Sequence, residues 1–472
     1  MRRILAIGAY ERDNFGDLLF LYVLRKLINN KAEVIASSII AADTEPINGE
    51  FVLPYDILLK NHTFDGVYVA GGEVGAVDVV SGLTMDISSK EYQTILRNKP
   101  DLNTIVEFYT GISQNREEHA YIPDLQKYPL NKHTPLIVNS VGLSNIAGLS
   151  GDFLQRTITV LRNAAVSVRE NNSQKIMEKN KIASSLSPDV VHTINLFHPK
   201  YSSTKRYFTF QINTELIKTS RYSPKKIAVI LQQISHALKA DVRLFLAGTA
   251  AFHDDERTYK QIVQAFKSIE HKYAISITTD RNPLCLVDEI SGSVLWIGTS
   301  LHGRIIAASY NVPRISLLNK KVSRYAESWD NKYPHGVTID AVLSAVEAAV
   351  KTPADPKLAN ALAKQAQRNL SQLIKPVFKK KSATTQDPLD IAKSYIKSDE
   401  KRRASFLTVI DDKNSQIARL ENEVEALTNE RQLLKEDLHY FKHQLKLITD
   451  SKSYRLITFI PKLANKLRRS SK

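Results

Sequence analysis

The chain has 472 residues, of which 43% are hydrophobic and 24% charged, and it carries a formal net charge of +16 and one cysteine. This length exceeds one ordinary core, so we expect two globular domains with additional segments. The single cysteine excludes an internal disulfide framework and fits a reducing compartment. No stretch approaches the run of about 18 apolar residues that a membrane-spanning helix needs, so the composition favours a cytoplasmic protein.

The positive charge is concentrated towards the C-terminal end. Residues 356–472 carry 25 Lys and Arg against 13 Asp and Glu. A basic end of this kind more often indicates an anionic surface or simple solubility than sequence-specific reading of nucleic acid, and no zinc-finger or aromatic RNA-binding motif accompanies it. We therefore expect no nucleic-acid partner.

The first part of the chain alternates short apolar runs with helical stretches, which predicts an α/β domain over residues 1–200. Its first run passes into a charged loop without the small-residue cleavage site of an export signal, and we interpret it as a strand. The predicted strands are Ile4–Tyr10, Glu33–Ile40, Gly66–Ala70, Leu136–Leu143 and Ala164–Arg169.

Polar and glycine-rich corners follow several of these strands. Asn14-Phe15-Gly16-Asp17 follows the first, where Gly16 lets the backbone turn and Asp17 is placed to cap a helix; a tight turn explains it, and a binding loop is the alternative. Gly71-Gly72 allows close approach of an anionic ligand, but the spacing is not a dinucleotide fingerprint. Arg169 beside a helix start forms a candidate anion site, although a surface Arg–Glu pair would also explain it.

A second strand and helix series predicts another α/β domain over residues 206–352. Its predicted strands are Tyr207–Ile212, Val242–Ala247, Ala274–Thr278 and Val294–Ile297. Two successive halves with polar loops after their strands predict two Rossmann-like domains that face each other across a cleft, with the ligand site between them.

The strand at Val294–Ile297 leads into the polar corner Thr299-Ser300-Leu301-His302-Gly303-Arg304, and a helix follows. In a parallel α/β sheet such a loop lies at the carboxyl end of its strand, where ligands bind. The corner offers two hydroxyls, an imidazole and a guanidinium at one point. We expect the chemistry of the protein here.

The C-terminal quarter divides into three predicted segments. Residues 353–402 are predicted to form a helical and polar linker. Residues 403–450 carry a heptad repeat, with β-branched residues favoured at one core position and Leu at the other, which predicts a parallel dimeric coiled coil; a helix packed on the body is the alternative. Residues 451–472 combine seven basic residues with apolar ones and no acid, which predicts peripheral contact at the inner face of the plasma membrane, with a frayed tail as the alternative.

Taken together, these corners resemble the polysaccharide pyruvyl transferases over about residues 1–320. Some members of that family have Arg where this chain has Ser300, and many have a third glycine where it has Glu73. The motifs that carry the resemblance are Asn14-Phe15-Gly16-Asp17, Gly71-Gly72, Val168-Arg169-Glu170 with Ser173, Pro188-Asp189-Val190, Gly248 with His253-Asp254-Asp255, and Gly298-Thr299-Ser300-Leu301-His302-Gly303 with Ala307 and Pro313.

The resemblance implies a fold of the glycosyltransferase-B kind, with phosphoenolpyruvate as the donor substrate. The acceptor would be a sugar of a cell-surface polysaccharide or of its lipid-linked precursor, and the product a pyruvate ketal. No cofactor and no metal ion are implied. The implied partners are thus these two substrates, with a second copy of the chain joined through the coiled coil.

The implied chemistry gives each candidate residue a role. His302 would transfer a proton or bind the departing phosphate, and Asp17 would accept a proton from the acceptor hydroxyl or orient it. Arg169, with Arg304 as a second candidate, would bind carboxylate or phosphate through its forked guanidinium. The other candidate substrate-binding residues are Ser300, Asn14, Gly16, Gly71, Gly72, Asp254 and Asp255.

Two other classes of function stay open from the sequence. A glycosyltransferase of the same architecture would use a nucleotide-sugar, and the chain lacks a clear DxD-type metal motif, which metal-independent members do not need. A non-catalytic scaffold would use the coiled coil and the basic tail as its working parts.

Overall fold

The computed structural model describes residues 1–44, 51–86, 110, 119–220, 222–250, 253–269, 272–379, 388–451 and 461. The chain divides into two units, Met1–Arg402 and Arg403–Lys472. The first unit contains two β-sheets flanked by helices, which confirms the predicted α/β class. Apart from Ser451 and Pro461, the predicted basic tail lies outside the described residues.

The first sheet has eight strands within the described ranges. They are β1 (Arg2–Ile7), β2 (Ala32–Ser38), β3 (Ala42–Asp43), β4 (Phe51–Pro54), β5 (Gly66–Ala70), β6 (Leu136–Val141), β7 (Ala165–Val168) and β8 (Ser184–Leu186). Their order is β3-β4-β2-β1-β5-β6-β7-β8, and every pair except the edge pair β3 and β4 is parallel. The strands read as continuous apolar runs because helices cover both faces of a parallel sheet.

The second sheet is parallel throughout the strands that the structure describes. They are β9 (Tyr207–Phe210), β10 (Asp241–Leu244), β11 (Ile275–Ile277), β12 (Trp296–Gly298) and β13 (Arg314–Ser316). Their order is β11-β10-β9-β12-β13. In both sheets the chain therefore winds first to one side and then to the other, and the reversal falls between β1 and β5 in the first sheet and between β9 and β12 in the second.

Helices of the first unit connect and cover the strands. They are α1 (Phe15–Ile28), α2 (Tyr55–Asn61), α3 (Val79–Asp86), α4 (Gly151–Arg162), α5 (Asn171–Lys179), α6 (Thr214–Ser220), α7 (Pro224–Leu238), α8 (Glu256–Lys267), α9 (Pro283–Ser291), α10 (Leu301–Ser309), α11 (Lys320–Trp329), α12 (Val342–Lys351), α13 (Pro356–Leu373) and α14 (Lys375–Lys379). Short 3₁₀ segments are Leu125–Lys127, Ser144–Gly148, Val190–Leu196 and Ile339–Ala341.

Helix α13 lies in the predicted linker, but it packs against the first sheet. The amide of Asn369 donates to Asn139 Oδ1 at 3.0 Å and to Ser167 Oγ at 2.9 Å. Leu370 and Ile374 are buried in the same apolar cluster as α1. Helix α13 thus packs on the N-terminal sheet, because its apolar face needs a surface to cover it.

The second unit is described by a single element. Helix α15 runs from Pro388 to Asp450 and covers the predicted coiled-coil segment. Its heptad residues Leu420, Val424, Leu427 and Leu434 are each about 60% exposed in the single chain. The predicted pairing of two such helices stays a prediction. No helix among the described residues is both long enough and apolar enough to cross a bilayer.

Candidate active site

A cavity of about 260 Å³ lies where the carboxyl ends of the two sheets meet. The loops after β1 and β5 line it from the first sheet and include Asn14 and Gly71; the loops after β9 and β12 line it from the second and include Gln211 and Ser300. These four loops follow the strands between which the strand order reverses in each sheet. Ligands of open α/β sheets bind at such points, so this cavity is the candidate active site.

The loop after β1 is held against the second sheet. The carboxylate of Asp13 accepts hydrogen bonds from Arg281 Nε at 3.0 Å and Nη2 at 2.9 Å, and from Thr249 Oγ1 at 2.6 Å. The N–H of Phe15 donates to the carbonyl of Ala247 at 3.0 Å. These contacts between the two halves fix the start of α1 at the cavity.

The start of α1 differs from the sequence prediction in its cap. Asn14 is the N-cap, and its Oδ1 accepts a hydrogen bond from the Gly16 N–H at 3.2 Å. Asp17 therefore lies inside the first turn, with its carboxyl group at the cavity wall. Burial raises the pKa of Asp17, although the charges of Arg12 and Lys321 act in the opposite direction. The carboxyl group is left available to a ligand rather than used in capping.

His302 reaches across from the second sheet to the first. It lies in the first turn of α10, whose N-cap Ser300 accepts a hydrogen bond from the Gly303 N–H at 3.2 Å. A Cβ atom at position 16 would lie 1.9 Å from His302 Nδ1, so only glycine leaves room for the ring there. The ring of Phe20 packs edge-on against it at a centroid distance of 5.0 Å. Gly16 thus has a steric function beyond its turn.

A buried ion cluster lies behind His302. Arg169 is 1% exposed, and its Nη2 lies 3.2 Å from Glu73 Oε2 while its Nη1 lies 3.7 Å from Asp189 Oδ2. The same Asp189 oxygen lies 3.8 Å from His302 Nε2. Asp189 is therefore placed between the guanidinium and the imidazole.

Burial and the neighbouring charges shift the pKa values of the residues in and around this cluster. Burial raises the pKa of Asp189 to about 6, against the opposing effect of Arg169. Burial also opposes ionisation of Glu73, but Arg169 and the Ser144 hydroxyl together lower its pKa below the usual range. Burial, and then the positive charges of Arg169 and Lys321, lower the pKa of His302 well below 6.5. His302 is neutral at pH 7 when the cavity holds no anion.

We expect Arg169→Met to destabilise the protein, because it leaves the Asp189 carboxyl group and Glu73 without their cation. The expected loss in the free energy of unfolding is about 3–5 kcal/mol, measured by urea unfolding. Adding Asp189→Asn to this variant removes an uncompensated charge and is expected to recover part of the loss. Strictly additive losses would show that the ion cluster does not couple these residues.

Two side chains bring positive charge to the cavity wall. Lys321 lies in the first turn of α11, is exposed, and is under the electrostatic influence of Asp17, Glu73 and Asp189. Arg12 lies in the loop after β1 and also lines the cavity. Neither was a candidate from the sequence, where Lys321 is one of two adjacent lysines in a polar stretch. Lys321 could have been selected from the sequence because it lies at the start of the helix that follows β13, a strand of the second sheet.

The structure brings most of the predicted site residues together. Gly71 and Gly72 have φ values of +45° and +75°, which glycine adopts readily, and a Cβ at position 71 would lie 1.7 Å from the Phe20 ring. Gly16 packs on His302 as described. The predicted residues that line the cavity are His302, Asp17, Ser300, Asn14, Gly71, Gly72 and Asp254.

Arg304 does not reach the cavity, which corrects the prediction that it binds substrate. It is 1% exposed, and its Nη1 donates to Ser316 Oγ at 3.0 Å while its Nη2 donates to the carbonyls of Asp330 at 2.8 Å and Tyr333 at 3.1 Å. Two residues along a helix turn a side chain by about 200°, so Arg304 points away from the face that presents His302. Its role is to hold the loop after α11, which contains Asp330 and Tyr333, against β13.

Arg169 and Asp255 also lie outside the cavity wall. Arg169 is enclosed in the ion cluster, so the pairing with an acidic residue that was the alternative to an anion site is present, with Glu73 and Asp189 as the partners. Asp255 is the N-cap of α8, where it accepts hydrogen bonds from the Arg257 N–H at 3.1 Å and from Thr258 Oγ1 at 2.6 Å. Asp255 thus caps α8 away from the cavity lining, and the sugar-binding role predicted for it stays a prediction.

Asp254 lines the cavity, but both of its oxygens have protein partners. Oδ1 accepts a hydrogen bond from Gln211 Nε2 at 2.8 Å and Oδ2 from the Ala247 N–H at 2.7 Å. Gln211 Oε1 in turn accepts from the N–H groups of Thr299 and Ser300, each at 2.8 Å. Gln211, which the sequence analysis did not select, therefore joins three cavity loops. Burial raises the pKa of Asp254 to about 7.

A metal ion has no evident site in the part of the chain that the structure describes. No group of three or more His, Cys, Asp or Glu side chains there is placed to hold one. The prediction that the reaction needs no cofactor is not tested by this finding and stays a prediction.

The first unit is an α/β structure with two sheets, and the cavity at their carboxyl ends combines an imidazole, a carboxyl group and the ammonium group of a lysine. A family model described as polysaccharide pyruvyl transferase matches residues 14–321. The chain belongs to this family, which confirms the resemblance found in the sequence. It is accordingly a transferase of polysaccharide biosynthesis, and the family implies a sugar or polysaccharide acceptor.

Solved structures show weaker similarity. The UDP-GlcNAc 2-epimerase from Methanocaldococcus jannaschii is 12% identical, with 79% of this chain and 100% of that chain covered and a TM-score of 0.48. The Neisseria meningitidis enzyme bound to UDP-GlcNAc is 12% identical, with 79% and 99% covered and a TM-score of 0.45. An alpha-glucosyltransferase in complex with UDP is 10% identical, with 79% and 96% covered and a TM-score of 0.37. No curated protein matches the chain.

Proposed function

We propose that the protein transfers the pyruvyl group of phosphoenolpyruvate to a sugar of a cell-surface polysaccharide, or of its lipid-linked precursor, to form a pyruvate ketal. The observation that carries this proposal is the meeting of His302 from one sheet with Asp17 from the other, beside the exposed Lys321 and beside Arg12, which lines the same cavity. A donor with a phosphate and a carboxylate requires positive charge, and ketal formation requires proton transfer.

The proposed reaction balances without an oxidant or a reductant. A proton adds to the methylene carbon of phosphoenolpyruvate, which becomes the methyl group of the product. The bond between C2 and the phosphate oxygen breaks, and two acceptor hydroxyl oxygens form bonds to C2. Of the two protons that these hydroxyls lose, one replaces the proton used at the methylene carbon and the other leaves with phosphate.

His302 is the proposed proton-transfer group, and Asp17 is proposed to orient the acceptor hydroxyl and take its proton. Burial and the nearby cations Arg169 and Lys321 lower the pKa of His302 and favour the neutral imidazole. The negative charges of the donor would offset those cations and raise the pKa of the imidazole, so that it can hold a proton in the complex. The raised pKa of Asp17 brings its basicity closer to the range that a general base needs near neutral pH.

Lys321 and Arg12 are proposed to bind the phosphate and carboxylate of the donor. They are proposed in place of Arg304, whose guanidinium group is occupied in the interior, and of Arg169, which lies in the buried ion cluster with Glu73 and Asp189. The N terminus of α10 faces the cavity through Ser300 and Leu301, and its helix dipole favours an anion at the same place.

The proposal is tested by phosphate release from phosphoenolpyruvate by the purified full chain. The arms contain no acceptor, a set of sugars and lipid-linked sugars, and a nucleotide-sugar in place of phosphoenolpyruvate. Release of phosphate that depends on both phosphoenolpyruvate and an acceptor supports the proposal. Consumption of the nucleotide-sugar with no use of phosphoenolpyruvate contradicts it and favours glycosyl transfer.

We expect Gly16→Ala to lower the rate of this reaction by at least about tenfold, because the new methyl group would displace the His302 ring. Gly148→Ala is the matched control, since a Cβ at that position meets no atom within 4 Å. Phosphate release and thermal unfolding are measured for both variants. Equal rates in the two variants would contradict the steric role of Gly16.

The second unit is proposed to join two copies of the chain through a coiled coil. The exposed apolar residues of α15 recur at heptad spacing, and Leu420, Leu427 and Leu434 share one core position. The cytoplasmic location and the membrane contact of the basic tail also remain proposals, which rest on composition alone.

A further inference from the structure

A second cavity, of about 470 Å³, lies at the C-terminal end of α1, where α13 and α14 pack against it. We call it the α1–α13 groove. Its floor is formed by Ile28, Leu370 and Ile374, which are buried, and its walls include the half-buried Leu27 and Phe378. An open groove of this volume with an apolar floor has the size and lining of a ligand site.

Three lysines stand around the groove, namely Lys31, Lys375 and Lys379. All three are exposed, and none forms an ion pair with a residue in the described part of the chain. Among the residues that the structure describes, the groove lining contains no acidic side chain. The groove thus combines an apolar floor with a positively charged rim, which suits a partner that has a hydrocarbon part and an anionic part.

The groove is separate from the candidate active site. Asp17 lines the active-site cavity and Ile28 lines the groove, and both residues are on α1. At 1.5 Å per residue, they are about 16 Å apart along the helix axis. A ligand in the groove therefore does not occupy the site of the proposed reaction.

Neither neighbouring nor terminal segments of this chain match the groove. Residues 380–387 follow Lys379 directly, and Ala383 is their one apolar residue, so their sequence offers little apolar surface to such a floor. Residues 451–472 contain apolar side chains, but their seven basic residues would be repelled by the lysine rim. Charge complementarity favours an anionic amphiphile instead.

We propose that the α1–α13 groove binds the hydrocarbon chain of a phosphate-bearing membrane lipid, whose phosphate lies on the lysine rim. Burial of the chain on Ile28, Leu370 and Ile374 removes apolar surface from water, and each lysine near an anionic lipid adds a favourable electrostatic contribution. The groove would hold the protein at an anionic membrane surface, independently of the basic tail and of the proposed reaction.

Photolabelling of the full chain with a diazirine-bearing dodecyl phosphate tests this site. Peptide mass spectrometry is expected to find the label on α1, α13 and α14. Unlabelled dodecyl phosphate is expected to reduce this labelling by competition, whereas inorganic phosphate is expected to leave it unchanged. Ser371→Trp fills the groove from its exposed edge and is expected to reduce labelling at least about tenfold. Labelling found only on other elements would overturn the proposal. Labelling of the groove that is as strong in Ser371→Trp as in the unchanged protein would also overturn it.

A second arm measures sedimentation with vesicles of phosphatidylcholine, with or without phosphatidylglycerol. The variant Lys31→Glu, Lys375→Glu, Lys379→Glu is expected to bind the mixed vesicles at least about tenfold more weakly than the unchanged protein. The control variant changes three exposed lysines elsewhere, Lys225→Glu, Lys267→Glu and Lys364→Glu.

The control has the same net charge as the groove variant, so it separates the effect of losing the groove lysines from the effect of lowering the net charge of the protein. Equal weakening in both variants would assign the membrane affinity to overall charge and would overturn the groove as its source. Circular dichroism and thermal unfolding show that each variant is folded. A loss of groove binding with phosphate release retained leaves the proposed function untouched, so the two proposals can fail separately.

Discussion

Replacing His302 with alanine is expected to lower kcat by about 10²–10⁴-fold, because the cavity then lacks its proposed proton-transfer group. His302 is 7% exposed and its ring packs on Phe20 and Gly16, so the melting temperature is measured alongside phosphate release. His236→Ala removes an exposed imidazole from α7 and is the control. Full activity of His302→Ala would remove this residue from the mechanism.

The protonation of His302 gives a second readout for the same variant. Burial, Arg169 and Lys321 hold its pKa well below 6.5, so the neutral imidazole is favoured at pH 7. The proposed anionic donor would raise this pKa, and binding of phosphoenolpyruvate near pH 7 is therefore expected to take up as much as about one proton from solvent. Calorimetry in buffers of different ionisation enthalpy measures this uptake. The same uptake in His302→Ala would assign it to another group.

Replacing Lys321 with methionine is expected to raise the KM for phosphoenolpyruvate by about 10–100-fold, because the donor loses a charge-assisted hydrogen bond at the cavity wall. Lys320→Met is a close control, since Lys320 is the adjacent exposed residue of α11 and does not line the cavity. Lys321→Arg keeps the charge and is expected to recover part of the affinity. Equal KM values in the two methionine variants would contradict the assignment.

Lys321→Met has a further expected consequence for pH dependence. Lys321 is one of the cations that lower the pKa of His302, after burial and Arg169. Removing it raises the pKa of the imidazole, so the protonation of His302 in the free enzyme shifts to higher pH. The acid limb of the kcat/KM profile is therefore expected to move towards neutral pH.

Much of the fold could be predicted because apolar runs and glycines mark the strand ends. The strand predicted at Gly66–Ala70 has those bounds in the structure, since a buried run ends there at two glycines with positive φ. The corner that carries Ser300 and His302 could also be placed, because it lies between an apolar strand and a helix. Other strands differ from the prediction by a few residues at their ends, where apolar residues continue into buried loops.

The side chains that contact one another across the two sheets could not be predicted. The position of Arg304 after His302 suggested a shared site, but the helical rotation between them sends Arg304 into the interior. Lys321 is far from Asp17 in the chain, and only the return from β13 to α11 brings it to the cavity. Gln211 has no motif of its own, and its role depends on three loops that meet around it.

In the C-terminal region, too, the local sequence pattern predicts the helices but not the surfaces against which they pack. The periodicity of α13 predicted a helix, but not that Asn369 would find Asn139 and Ser167 in the first sheet. A period of apolar residues identifies the face of a helix that needs covering, whereas the identity of the covering surface depends on the rest of the fold. The surface that covers the exposed heptad residues of α15 is therefore a matter for experiment.

Product analysis of a reaction run in deuterium oxide tests the proposed function most directly. The proposal predicts that phosphoenolpyruvate and a sugar acceptor give phosphate and an acceptor enlarged by a pyruvate ketal. It also predicts one deuterium in the ketal methyl group, because that carbon takes its added proton from exchangeable positions. An acceptor enlarged by a sugar residue from a nucleotide-sugar, with phosphoenolpyruvate left intact, would contradict the proposal.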